Sequence, residues 1–333
     1  MTHSLGAMAR RKAERKVPAA PAGIPGVYAT VADLVALESA ARDFSLLPKQ
    51  PVHSLLSGRQ SSRIRGRGLS FEELRQYLPG DDIRTMDWRV TARTRKPFVR
   101  VYTEEKDRPA LLAVDQRINM YFGTRRALKS VTAAESAALA AWRVLSQGDR
   151  VGGFVFDDGS ITELRPRRSR AAVIRLLDAV VRRNAAMRAD SPARRNPAQL
   201  NAVLERVAQA VRHDHLVAVI SDFDGHDAKT RDLLLRLAVN NDVLAVVVHD
   251  PFMSELPPSG DLVVSDGELQ VELGFGHDHI RQGIADFAHG HGQAILAWQA
   301  EIGVPVLPVS AAEETAPQIR HLLGQIAARQ RRR

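Results

Sequence analysis

Residues 110–119 read ALLAVDQRIN, an unbroken apolar run that ends on the carboxylate of Asp115. Four to eight apolar residues without alternation predict a strand covered on both faces, as in a parallel sheet, although periodicity by itself leaves a buried helix open. The pattern recurs in HLVAVIS over 215–221, which ends on Asp222, and in VLAVVV over 243–248, which ends on His249 and Asp250. Strands of this kind line up their acids along one edge of an open α/β sheet, the carboxyl edge where such folds carry their sites.

The segments between these strands predict helices. Thr124 is expected to cap a helix running to Ser146, apolar at Leu128, Val131, Ala138, Leu139, Trp142 and Leu145. Val151–Phe156 and Ile161–Leu164 predict a hairpin across Asp157-Asp158-Gly159. Helices follow over Ser169–Val181, Pro197–Val211 and Asp227–Val239, and a second hairpin over Leu262–Ser265 and Leu269–Leu273. The chain then reads as a helix to Ile302, a strand Val304–Val309 and a last helix to about Arg329. Strands alternating with helices specify an α/β fold with a doubly wound, mostly parallel sheet. Upstream, Thr30 and Asp33 form a capping box for a helix closed by Pro48, expected to brace the main domain.

Composition removes several functions. The 333 residues include no cysteine, which excludes disulfides, thiol catalysis and thiolate metal sites. No stretch reaches the roughly 18 apolar residues that a membrane span needs, and the N-terminus lacks the apolar core of a secretory signal. A cytoplasmic location is therefore expected. Of the net charge of +9, Arg10, Arg11, Lys12, Arg15 and Lys16 against Glu14 supply +4, and Arg329, Arg331, Arg332 and Arg333 supply +4. The rest of the chain is left at +1. Basic charge concentrated on two tails reads as solvated, disordered termini with salt-sensitive attraction to polyanions, not as a nucleic-acid-binding face.

Residues 57–107 mix arginines (Arg63, Arg65, Arg67, Arg75, Arg84, Arg89, Arg93, Arg95, Arg100) with acids (Glu72, Glu73, Asp81, Asp82, Asp87, Glu104, Glu105). Such mixing is expected to favour internal ion pairs over a uniform phosphate-binding face. Within it, Pro79-Gly80-Asp81-Asp82 reads as a tight turn and Lys96–Tyr102 as a strand. Arg65-Gly66-Arg67-Gly68 reads as a flexible connector.

The run Gly66-Arg67-Gly68, Phe71, Leu74, Arg75, Tyr77, Pro79-Gly80-Asp81-Asp82, Arg84, Asp87-Trp88, Ala92-Arg93-Thr94 and Glu104-Glu105 resembles the signature of the DUF58 family. The resemblance continues through Asp115, Met120, Gly148–Gly152, Ser221-Asp222-Phe223, Asp250-Pro251, Leu256-Pro257 and Gly260. Members of that family are bacterial proteins with a von Willebrand factor A-like domain, commonly encoded beside MoxR-type AAA+ ATPases. Composition, spacing and the resemblance together lay the chain out as a disordered basic tail over 1–27, a helix and Arg/Asp-rich signature segment over 28–108, a von Willebrand A-like domain over 109–310, and a C-terminal helix and basic tail over 311–333. The resemblance also implies a non-enzymatic adaptor that partners such an ATPase in chaperone-like assembly or activation of other proteins.

Domains of this type often hold Mg2+ in a metal-ion-dependent adhesion site, built from an Asp-x-Ser-x-Ser loop, a Thr and a later Asp. Here Asp115 and Asp222 match the acids, Arg117 and Asn119 replace the serines, and residues 194–198 contain no Thr. The expectation is a degenerate, metal-free site in which the Arg117 guanidinium lies between Asp115 and Asp222. These residues and Asn119 are expected to contact the partner. The bland alternative is that both acids merely cap the helices that follow.

A rival comes from another class. Val217–Gly225 also resembles the first motif of haloacid-dehalogenase phosphatases, with Asp222 as nucleophile and Asp224 as general acid. However, His226 stands where Thr belongs, and the next strand ends on His249 instead of Ser or Thr. His277-Asp278-His279 and His289-Gly290-His291 suggest metal ligands, but on a helix residues two apart point about 200° apart and cannot share an ion.

Overall fold

The computed structural model describes residues 24–43, 69–104, 108–188, 194–253, 261–265, 270–274, 286 and 289–330. The basic termini at 1–23 and 331–333, the Arg-Gly run at 65–68 and His277-Asp278-His279 fall outside these residues.

Six strands form the main sheet: β3 (Ala110–Asp115), β4 (Val151–Phe156), β5 (Ile161–Arg167), β6 (Leu216–Ser221), β7 (Asp242–His249) and β10 (Val306–Ser310). Their order is β10-β7-β6-β3-β4-β5, with every neighbouring pair parallel except β4 and β5. The unbroken apolar runs follow from this placement. Along β3, Ala110, Leu112 and Val114 join the core on one face while Leu111 and Ala113 join the core on the other. Gly153 lets β4 lie against β3, since a Cβ there would sit 2.2 Å from the Leu112 carbonyl oxygen.

On the first face pack α1 (Val31–Ala36), α3 (Lys129–Ser146), α4 (Arg170–Ala186) and α8 (Thr315–Gln330). The second face is covered by α5 (Gln199–Ala210), α6 (Ala228–Asn240) and α7 (Trp298–Glu301). A separate antiparallel pair, β8 (Asp261–Ser265) and β9 (Gln270–Gly274), is the second hairpin expected from the sequence. Ile319 and Leu323 of α8 lie in the same core as Leu34 of α1, so packing runs across both 109 and 310. Among the described residues no helix is long and apolar enough to cross a membrane.

Several boundaries move. The helix after β3 begins at Lys129, with Leu128 at the capping position, and not at Thr124. Thr124 is drawn away by Asp250, to which its backbone N–H and hydroxyl donate at 2.9 and 2.7 Å. The N-terminal helix stops at Ala36 and passes into a 3-10 turn over Ala40–Asp43, instead of running on toward Pro48. Residues 24–27, expected within the disordered tail, are turned onto the body: the Leu128 N–H donates to Gly26 O at 2.7 Å.

The signature segment folds on itself. β1 (Leu69–Gln76) pairs antiparallel with β2 (Phe98–Glu104), enclosing a 3-10 turn at Ile83–Thr85 and α2 (Trp88–Thr94). Arg75 grips Asp81 through both terminal nitrogens at 2.9 and 2.7 Å, and Leu78 N–H donates to the same carboxylate. Asp87 caps α2 by accepting from Arg89 N and Val90 N, while its other oxygen accepts from Arg100 Nε at 2.9 Å. Asp82 caps the 3-10 turn, and Gly80 supplies φ +105 at the bend. Internal pairing is thus present but partial: the side-chain cations of Arg84, Arg89, Arg93, Arg95 and Lys96 meet no carboxylate among the described residues.

Candidate functional site

The sheet order places β3 beside β6, so the loops leaving Asp115 and Ser221 face each other across the carboxyl edge. Asp115 accepts from Arg117 N and Nε at 2.9 and 3.0 Å, from Arg117 Nη2 at 2.7 Å and from the Ser221 hydroxyl at 2.6 Å. The other end of the guanidinium donates to Asp224 O at 3.1 Å, and its Nη2 lies 4.0 Å from Asp222 Oδ1. Arg117 therefore ties the first loop to the β6 loop, with the ring of Phe156 5.6 Å from its central carbon.

Asp222 is held from three sides. Asn119 Nδ2 donates to Oδ1 at 2.7 Å, Lys129 Nζ to Oδ2 at 2.6 Å, and Asp224 N–H to Oδ1 at 3.0 Å. The turn after it is tight. Phe223 adopts φ +57, held by its N–H to the Ser221 hydroxyl at 2.8 Å and by an edge contact with Trp298. Gly225 follows at φ +80, where a Cβ would lie 2.4 Å from Pro197. Left-handed geometry at a bulky residue is rare and persists where surrounding packing over-determines it.

The electrostatics follow from burial and pairing. Burial pushes the Asp115 carboxyl up, against the opposing pull of the Arg117 guanidinium and the Ser221 hydroxyl. Burial alone would lower the Arg117 guanidinium; Asp115 more than reverses this and keeps it charged. Burial likewise works to raise Asp222, yet the Lys129 ammonium and then Arg117 hold it below the usual carboxylate range. Burial, then the neighbouring His291 ring, holds His226 below its ordinary value.

Next to Asp222 opens a cavity of about 390 Å³, lined by Asn119, Phe122, Lys129, His249, His291 and Leu296 among others. His291 forms its wall by donating from Nε2 to the Asp222 carbonyl at 2.8 Å, its ring 4.7 Å from that of His226. His289 lines the same cavity. No group of His and acidic side chains among the described residues is arranged to hold a metal ion. Asn119 Oδ1 is buried and accepts no hydrogen bond.

The residues present do not fit the divalent ion that the resemblance brings to mind. A hard cation needs free carboxylate oxygens, and those of Asp115 and Asp222 are taken by a guanidinium and an ammonium. About 5 mM Mg2+ is therefore expected to leave the melting temperature within about 1 °C of its metal-free value. A larger rise that disappears in Asp222→Asn would show that the ion displaces Lys129.

The sequence expectation placed Asp115, Arg117, Asn119 and Asp222 together, and they are together. The expected partner contact needs correction for two of them. Asp115 and Arg117 are 0% exposed and can only hold the edge in shape, whereas Asp222, at 8%, and Asn119 reach the cavity. Sequence reasoning missed Lys129, hidden by starting its helix at Thr124. A lysine in a first helical turn opposes the helix dipole, and this was the signal that an acid must face it. Also missed were Asp158, which accepts from Ile118 N and Asn196 N at 2.7 and 2.8 Å, and Arg195, which pairs with Asp224 at 2.5 Å.

A family model described as "Protein of unknown function DUF58" matches residues 73–294. The chain belongs to the DUF58 family. Similar proteins include the uncharacterized protein Rv1480 of Mycobacterium tuberculosis and the uncharacterized protein Mb1516 of Mycobacterium bovis. Each is 30% identical over 275 residues, covering 81% of this chain and 84% of the relative. Among solved structures, the DUF58 chain is similar to the conserved hypothetical protein BatB from Bacteroides thetaiotaomicron at TM-score 0.39 and 12% identity, covering 66% of this chain and 99% of that one. It is also similar to a von Willebrand factor type A protein from Catenulispora acidiphila at TM-score 0.33 and 11% identity, covering 69% and 44%.

Proposed function

We propose that this chain is a non-enzymatic, cytoplasmic protein-interaction domain that docks its partner on the cavity at the carboxyl edge of the sheet. By the family resemblance, the partner is a MoxR-type AAA+ ATPase. The observation that carries the reading is the neutralisation of Asp115 and Asp222 by Arg117 and Lys129. An edge whose acids are satisfied from within is a preformed surface. Its apolar Phe122 and Leu296 offer shape, with Asn119 and Asp222 among the few polar groups of the lining. Such a mix of apolar wall and few polar groups suits recognition. The phosphatase alternative finds less support, because Arg195 holds the Asp224 carboxylate at 2.5 and 3.1 Å and takes the proton donor out of play.

The test is titration of the purified chain with the MoxR-type ATPase of the same organism. Leu296 is 45% exposed on the cavity wall, so Leu296→Glu is expected to leave melting unchanged and weaken binding at least tenfold. Binding unaltered by Leu296→Glu would move the interface off this cavity. Absence of binding by the wild-type chain would remove the ATPase as partner.

A further inference from the structure

The signature segment presents a second surface that its own folding does not use. Between Leu74 and Arg100 the chain carries seven cations, Arg75, Arg84, Arg89, Arg93, Arg95, Lys96 and Arg100, against three acids, Asp81, Asp82 and Asp87. Asp81 and Asp87 are consumed by Arg75 and Arg100, and Asp82 caps the 3-10 turn. The remaining five cations meet no carboxylate among the described residues. Large apolar side chains stand exposed in the same segment: Trp88 at 65%, Ile83 and Leu78 at 59% each.

The arrangement on α2 is ordered by its helical repeat. Thr91 faces β2, where its hydroxyl accepts from Phe98 N–H at 3.1 Å. Arg89 and Arg93, four apart, therefore form the row opposite Thr91, and Trp88 and Ala92, also four apart, form an exposed row beside them. Tryptophan and arginine are the side chains most enriched where proteins meet, whereas lysine is depleted there. Four of the five unpaired cations here are arginines.

We propose that this face, centred on Trp88 and flanked by Arg89 and Arg93, is a docking site for an acidic surface of a protein partner. The indole enters an apolar seat, and the guanidiniums pair with carboxylates around it. The surface is independent of the sheet-edge cavity, so either can fail without the other.

The test places a photo-cross-linking phenylalanine derivative at position 92, the exposed position one turn along from Trp88, in the full chain in its native cells. The captured protein is then purified and titrated. The expected result is a cross-linked peptide rich in Asp and Glu, and binding weakened about 30-fold by Trp88→Ala and at least tenfold by Arg89→Glu/Arg93→Glu, with steep loss in salt. Reversing the facing acids on the partner to lysine is expected to restore binding to the arginine-reversed variant. Because these side chains are exposed, both variants should melt as the wild type does. Cross-linking to a second copy of the chain, to nucleic acid or to nothing overturns the proposal. So does a blue shift of Trp88 emission on phosphatidylglycerol vesicles; Trp142 and Trp298 are 2% and 3% exposed and do not obscure that signal.

Discussion

Replacing Arg117 with methionine is expected to destabilise the protein by about 3–5 kcal/mol, the usual consequence of leaving one partner of a buried ion pair alone. Arg117 is fully buried, and its guanidinium donates to Asp115 and to the Asp224 and Pro197 carbonyls, joining three loops. Methionine keeps much of the volume and returns none of these bonds. For a domain of this size the change corresponds to a fall of roughly 6–20 °C in melting temperature. A pH dependence of known sign accompanies it. Burial already pushes Asp115 up, and without Arg117 nothing cationic pulls it back. A carboxyl whose folded-state pKa lies above its unfolded value costs stability at high pH, and the cost fades as pH falls through the folded value. The gap between variant and wild type should therefore narrow as the pH is lowered. Asp115→Asn combined with Arg117→Met should recover more than half of the loss, since it removes the stranded charge. A single variant that melts within about 2 °C of wild type would mean that the pair does not organise this edge.

Trp142→Ala is expected to cost about 3–5 kcal/mol through the cavity left by the largest fully buried side chain. The effect should also be local. Trp142 Nε1 donates to the Leu34 carbonyl at 2.9 Å across 108 residues of sequence, so it fastens α1 to α3, with Arg170 stacked 5.3 Å from the ring. Hydrogen exchange at Val31–Ala36 and proteolysis near Leu37–Asp43 should rise before the sheet opens. Trp142→Phe fills part of the space but strands the Leu34 carbonyl, and should lose roughly 1–3 kcal/mol. Unchanged exchange over α1 in Trp142→Ala would show that other contacts hold it, such as Ala29 N–H to Asn184 Oδ1 at 2.7 Å.

Most of the fold could be read from the chain because it is encoded locally. The apolar runs of β3, β6 and β7, the turn at Asp157–Gly159 and the cap at Thr30 depend on neighbours within a few residues. Where a local signal competed with a distant one, the distant one won. Thr124 has the chemistry of a helix cap, but Asp250, 126 residues away, takes both of its donors. The mixed charge of the signature segment predicted pairing, yet the helical repeat of α2 turns Arg89 and Arg93 away from the available acids.

By itself the sequence determined that acids would stand at the carboxyl ends of parallel strands, with an arginine and an asparagine in the loop that follows Asp115. Strand periodicity and residue identity suffice for that. Tertiary structure alone decided that Lys129 would neutralise Asp222 across 93 residues, that Asp158 would clamp loops 38 and 40 residues away, and that His291 would close the cavity from 69 residues downstream. The physical reason is that a charge buried at a sheet edge is satisfied by whichever side chain the packed helices and loops bring within about 3 Å, and separation along the chain does not encode that distance.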